Sequence, residues 1–208
     1  MTQTTHPENS GYVGDFRYRY SVREYEEMAA KGAFEGKRVE LLCGDVHVLR
    51  NLDTKIGGPD SMAAMGNPHF TAMRVLSHEL YGKLSGPLAI SCQLPFNLDG
   101  RSQPEPDFTL VKRENAHSRL PTAREVMAVI EVSDSTLRFD QTDKLKAYAE
   151  NGIPEYWILD LEQMQLEIYR EPKGNAYLFK HVLQKGQSAR LLEFPDILLE
   201  WWGFDAQE

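Results

Sequence analysis

The run Val126-Met-Ala-Val-Ile-Glu-Val-Ser133 constrains the fold of this chain more than any other segment. Side chains of a strand alternate. Val126, Ala128, Ile130 and Val132 therefore share one face, and Met127, Val129, Glu131 and Ser133 the other. Both faces are apolar until Glu131, as in a central strand covered on two sides. A carboxylate placed there loses its hydration, at a cost of roughly several kcal/mol without a partner. Either a cation meets Glu131, or the strand emerges at its end and Glu131 reaches water.

Period and punctuation place the other elements around this strand. Ser21 and Glu24 form a capping box, and Val22, Tyr25, Met28 and Ala29 lie on one helical face until Gly32 and Gly36 end it. Residues 39–43 and 46–49 read as two strands of a hairpin around Gly44-Asp45. Pro68 opens a second helix with Met73, Leu76, Leu80 and Leu84 as its apolar stripe. Strands follow at 88–96, 107–112 and 126–132. A third helix spans 139–151, stopped by Gly152 and Pro154. Strands at 155–160, 165–170 and 176–183 precede an apolar tail, 191–204, that packs back on the core. Residues 1–16 are polar and aperiodic, which predicts a disordered tail before one domain over 17–208. The aperiodic stretch 51–67 reads as a lid or a disordered loop. Helices lying outside a run of strands predict an α/β (α+β) fold, a central mixed β-sheet flanked by helices.

Composition narrows the class. A chain of 208 residues with 41% hydrophobic and 26% charged residues can bury one core without staples. Cys43 and Cys92 lie in apolar runs and read as buried thiols in a reducing compartment. No signal-like N-terminal pattern and no apolar run near the roughly 18 residues of a spanning helix appears, which predicts a cytoplasmic protein with no membrane partner. The net charge of −8 opposes tight nonspecific binding to phosphate backbones, which depends on Lys and Arg.

Two further clusters carry chemistry. Pro104-Glu-Pro-Asp107 leads directly into an apolar strand, and Asp107 precedes Glu131 by 24 positions. If those strands are antiparallel neighbours, both carboxylates stand at one end of the sheet. A hard cation such as Mg²⁺ relieves their repulsion while keeping waters for exchange; a proline before a strand is otherwise a common structural device. Asp140, Lys144 and Tyr148 are spaced i, i+4, i+8 and line one helical face, either as part of the same site or as a surface ion pair of about 0.3–0.5 kcal/mol. His69 and His78 are nine residues apart, about 180° around a helix, so they cannot share one metal.

Pro106-Asp107 and Glu131-Val132-Ser133 resemble the Pro-Asp…(Asp/Glu)-x-Lys signature of restriction-endonuclease-like nucleases. The ordered set resembles the Uma-two family of endonucleases more closely. It includes the helix from Ser21, Val39-Glu-Leu-Leu-Cys-Gly44, the His69-led helix, Glu105-Pro-Asp107 and Glu131-Val-Ser-Asp-Ser135. It continues through Asp140…Lys144…Tyr148 to Gly152-Ile-Pro-Glu-Tyr-Trp-Ile-Leu-Asp160. The resemblance implies a restriction-endonuclease-like core with Asp107 and Glu131 as ligands of Mg²⁺ or Mn²⁺. The superfamily's lysine would stand at Ser133. Its absence there implies that Lys144 serves instead, orienting the attacking water or stabilising charge on phosphate. Glu40 matches a further acidic position and would hold the metal directly or through water, unless it is an exposed strand carboxylate. His69 would contact phosphate or act as a polar group at the helix start, with Asp140 and Tyr148 beside it on the substrate side.

Three functions follow. The first is a metal-dependent endonuclease hydrolysing DNA, paired as a homodimer as such folds often are. The second is a nuclease-derived interaction module without cleavage activity, which the net charge and displaced lysine favour. The third is an enzyme acting on a small phosphorylated substrate.

Overall fold

The computed structural model describes residues 17–51, 67–116 and 118–202. The expectations for residues 1–16, for 52–66 and for the end of the tail lie outside them. Helix α1 (Val22–Ala30) begins at the capping box, with Ser21 accepting from the Glu24 amide and Glu24 from the Ser21 amide. Strands β1 (Lys37–Leu42) and β2 (Asp45–Asn51) form an antiparallel hairpin. Its turn is Cys43-Gly44 and not Gly44-Asp45, because Leu42 pairs with Asp45 and both turn residues have positive φ, 52° and 82°. A Cβ on Gly44 would stand 2.8 Å from that of Arg19, so the turn requires glycine. Cys43 is consequently exposed and Cys92 only partly buried, contrary to the two buried thiols expected.

Helix α2 (Asn67–Leu84) starts with Pro68 in its first turn. Six strands then build the central sheet, ordered β3 (Leu88–Cys92), β4 (Phe108–Lys112), β5 (Val126–Ser133), β6 (Glu155–Asp160), β7 (Gln165–Lys173) and β8 (Ala176–Gln184). All neighbours are antiparallel except β5 and β6. A parallel pair needs a crossover, supplied by α3 (Leu137–Phe139), a π-helical turn (Asp140–Lys144) and α4 (Leu145–Glu150). The expected third helix is thus interrupted by a π turn that its apolar period does not reveal. Strand β3 stops short of the expected residue 96 because Gln93 takes a positive φ of 51°. The tail folds as a small hairpin of β9 (Ala189–Leu191) and β10 (Phe194–Leu199), burying Leu191, Leu199 and Trp201 in the core.

The sheet is covered on both sides, as the apolar β5 requires. Ala72, Leu76, Leu80 and Leu84 of α2 join Leu110, Ala128, Ile130, Val132 and Trp157 on one face. Ala147 and Tyr148 of α4 join Val129, Tyr156 and Ile158 on the other. Strict alternation fails at the start of β5. Leu110 pairs with Ala128 but Val111 with Val126, so Met127 is an extra residue in a bulge. Val126 therefore joins the α4 side and Met127 packs toward the α2 side, the reverse of the expected faces. Among the described residues, no helix is long and apolar enough to cross a membrane.

Candidate functional site

The antiparallel register of β4 and β5 sets the first two side chains. Phe108 pairs with Ile130, so Asp107, one residue ahead of β4, comes opposite Glu131 near the end of β5. The Asp107 amide faces Glu131 Oε2 at 3.4 Å, and Asp107 Oδ2 accepts from the Val132 amide at 2.8 Å. Hairpin β1–β2 delivers a third carboxylate. The Gln103 amide donates to the Leu41 carbonyl, fixing β1 against the segment before Asp107, and the Glu105 amide donates to Glu40 Oε2 at 3.1 Å. Glu40 is fully buried, which excludes the exposed-strand alternative.

The π turn supplies the cation. Lys144 Nζ lies 2.9 Å from Glu131 Oε1, 3.5 Å from Glu40 Oε1 and 3.8 Å from Asp140 Oδ1. Lys144 is 4% exposed and Asp140 2%, so this is no surface ion pair. The cation required by a buried Glu131 is present, and the strand does not emerge into water. Tyr148 donates to Glu131 Oε1 at 3.2 Å. Ser133, where the superfamily signature has lysine, donates instead to Asp140 Oδ2 at 2.6 Å, and Thr136 to the same oxygen at 2.7 Å. His69, in the first turn of α2, places Nε2 3.6 Å from Asp107 Oδ2. All seven residues singled out in the sequence, Glu40, His69, Asp107, Glu131, Asp140, Lys144 and Tyr148, thus meet at one end of the sheet.

Burial and charge act against each other here. Burial pushes the Glu131 carboxyl well above the usual glutamate range, helped by Asp140, Asp107 and Glu40 and opposed by Lys144. Asp140 is raised for the same leading reason. Burial would also raise Asp107, but His69, the Val132 amide and Gln93 outweigh it and hold the carboxyl below its usual value. Burial disfavours the Lys144 ammonium, yet Glu131, Glu40 and Asp140 more than compensate, so the lysine stays protonated. Three buried carboxyls, Glu40, Glu131 and Asp140, face one buried ammonium, with Asp107 beside Glu131, and Glu40 Oε1 has no hydrogen-bond donor.

One contributor escaped the sequence. Gln93 donates from Nε2 to Asp107 Oδ1 at 3.1 Å and from its amide to the Asp107 carbonyl at 3.1 Å. It sat inside what read as a continuous strand, and nothing in Ser91-Cys-Gln-Leu94 announces a positive φ.

A family model described as "Putative restriction endonuclease" matches residues 22–201. The chain belongs to the Uma2 family. The resemblance drawn from its motifs is borne out, and the match spans every residue of the cluster. A crystal structure of a protein titled a "putative nuclease belonging to DUF820", from Anabaena variabilis, is 11% identical. It is similar over 88% of this chain and 95% of its own, with a TM-score of 0.57. At that identity the likeness concerns the fold, and it supports the mixed-sheet nuclease core expected of a Uma2 protein. No curated protein matches.

Among the described residues, no three His, Cys, Asp or Glu side chains stand ready to hold a metal ion. In this Uma2 chain the Lys144 ammonium takes up the space among Glu131, Glu40 and Asp140. The Asp107 amide faces Glu131 Oε2, the oxygen not bonded to Lys144, and Mg²⁺ sites commonly use one or two carboxylates with water completing the shell. The donor set is all oxygen, three carboxyls surround a single ammonium, and one buried carboxyl oxygen lacks a donor. These residues fit a hard divalent cation.

Proposed function

We propose that the chain is a metal-dependent endonuclease hydrolysing phosphodiester bonds of DNA, with Asp107 and Glu131 holding Mg²⁺ or Mn²⁺. The observation that carries this reading is the buried surplus of carboxylates around a single protonated lysine at the end of the sheet. Bound there, the cation would acidify a water and neutralise charge on the scissile phosphate. Glu40 would hold it directly or through water. In hydrolysis a water oxygen bonds to phosphorus, one phosphorus–oxygen ester bond breaks, and the departing oxygen takes a proton. Lys144, protonated, cannot accept the proton of that water. Its role is to orient the water by donation and to stabilise negative charge developing on phosphate. His69 and Gln93 hold Asp107 in place. Asp140 and Tyr148, both buried, act as positioning residues for Lys144 and Glu131 in preference to contacting substrate. Pairing into a two-fold homodimer would present two such sites for cutting both strands.

The test is nicking of supercoiled plasmid with Mg²⁺, with Mn²⁺ and with chelator. The wild type should nick only with metal, and Asp107→Ala and Glu131→Ala should not nick. Cleavage unchanged in both variants would exclude this site. A second reading, a nuclease-derived interaction module, draws on the net charge of −8, which opposes backbone binding. It requires wild-type protein that binds metal but leaves DNA intact.

A further inference from the structure

Glu131 and Glu167 stand in one row of the sheet. Glu131 pairs with Ile158 on β6, and Ile158 with Glu167 on β7. Directly opposed residues share a face, so both glutamates point toward the crossover helices, and both are buried. The π turn is pinned to this row at two places. Lys144 Nζ bonds Glu131 Oε1 at 2.9 Å, and Gln141 Nε2 bonds Glu167 Oε2 at 3.0 Å. A third tie comes from Tyr156, whose hydroxyl donates at 3.1 Å to the Asp140 carbonyl. The Leu145 amide, five residues on, donates to that same carbonyl.

A π turn is rare and intrinsically less favourable than the α-helix flanking it, and such single turns concentrate at functional sites. Here it must be held by tertiary contacts. Glu167 is built for that task. Tyr169 donates to its Oε2 at 2.6 Å, while Lys180 and Gln165 donate to Oε1 at 2.7 and 3.4 Å. The carboxylate is thereby fixed from three sides, with Gln141 as its only tie to the turn among the hydrogen bonds of the described residues. None of its hydrogen bonds among the described residues is shared with the acids around Lys144.

We propose that Glu167 and Gln141 are positioning residues that hold the π turn in register, so that Lys144 and Asp140 project onto Glu131. The inference rests on the reading of Lys144 as the working cation of the site. A turn relaxed to regular helix would swing Lys144 off Glu131, and misplacing a catalytic group by about 1 Å lowers rate by up to about a hundredfold.

The experiment compares Gln141→Met, which keeps length but loses the donor, with Gln141→Lys, which restores a donor toward Glu167. Two measurements are made on the full chain. One is the NMR signal of the Lys144 ammonium, whose protons exchange slowly when buried and hydrogen-bonded. The other is kcat and KM for nicking. In Gln141→Met the slow ammonium signal should broaden or be lost and kcat should fall about tenfold or more, with KM within about twofold. Gln141→Lys should restore both. An unchanged ammonium signal in Gln141→Met, or a fall in melting temperature with kcat per folded molecule unchanged, would overturn the proposal. If the wild type itself fails to nick DNA, the nuclease reading fails, and the ammonium signal alone then decides on the positioning role.

Discussion

Replacing Lys144 with methionine removes the ammonium while keeping much of the side-chain volume. Three carboxylates lie within 4 Å of that ammonium, at 2.9, 3.5 and 3.8 Å, in a site where the lysine is 4% exposed. Removing one partner from a buried ion pair typically destabilises by about 3–5 kcal/mol, because the remaining charge is left uncompensated. For a chain of this size each kcal/mol moves Tm by roughly 2–4 °C, so the metal-free variant should melt about 6–20 °C lower. Lys146→Met is the internal control. Its ammonium lies 4.0 Å from Glu150 with a half-exposed side chain, and such a pair contributes about 0–1 kcal/mol. Denaturant unfolding in chelator, with unchanged m-values, reads both differences. Adding Mg²⁺ or Mn²⁺ should recover more stability in Lys144→Met than in the wild type, since the ion takes over the missing positive charge. A metal-free loss below about 1 kcal/mol, equal to that of Lys146→Met, would refute the claim that Lys144 is the counter-ion of the cluster.

Other outcomes follow from the same geometry. Nicking by the wild type should slow steeply between low and moderate salt if DNA is the substrate, whereas turnover of a small phosphodiester should barely change; equal salt responses would argue against backbone binding. Gln93→Leu should weaken divalent-metal binding by roughly tenfold through the loss of a bond to Asp107, measured by titration calorimetry, and unchanged affinity would remove Gln93 from the site. The Tyr18 hydroxyl, with the Ser21 amide and hydroxyl, holds the Glu24 carboxyl down to about 2. A lowered folded pKa means that this stabilisation is complete above the ordinary glutamate value of 4.5 and fades as pH falls toward 2. Glu24→Gln should therefore flatten the acid limb of the stability curve, and an identical limb would contradict this.

The sequence named the residues that the structure brings together because each had an element to place it. An apolar β5 with one acid in it, a Pro-Asp before β4 and an i, i+4, i+8 series on the next helix needed only an antiparallel β4–β5 pair to converge. What could not be read were departures from regular geometry. The bulge at Met127 reverses two side chains against strict alternation. The positive φ at Gln93 ends β3 early and turns that residue onto Asp107. The π turn, 140–144, keeps the helical apolar period while adding a residue to the turn. Local irregularities of this kind are set by tertiary contacts, here Glu167 with Gln141 and Tyr156 with the Asp140 carbonyl, and hydrophobic pattern carries no trace of them. Glu40 was readable as an acid of the hairpin, but its burial depended on the 103–105 segment crossing over β1.

Calorimetric titration of Mn²⁺ into wild-type, Asp107→Ala and Glu131→Gln protein tests most directly whether the buried carboxylate surplus is a seat for a divalent cation. One site per chain in the wild type, with binding lost or weakened at least about tenfold in both variants, is the outcome the structure leads to. Wild-type protein that takes up no Mn²⁺, or three proteins that bind it alike, would contradict the account.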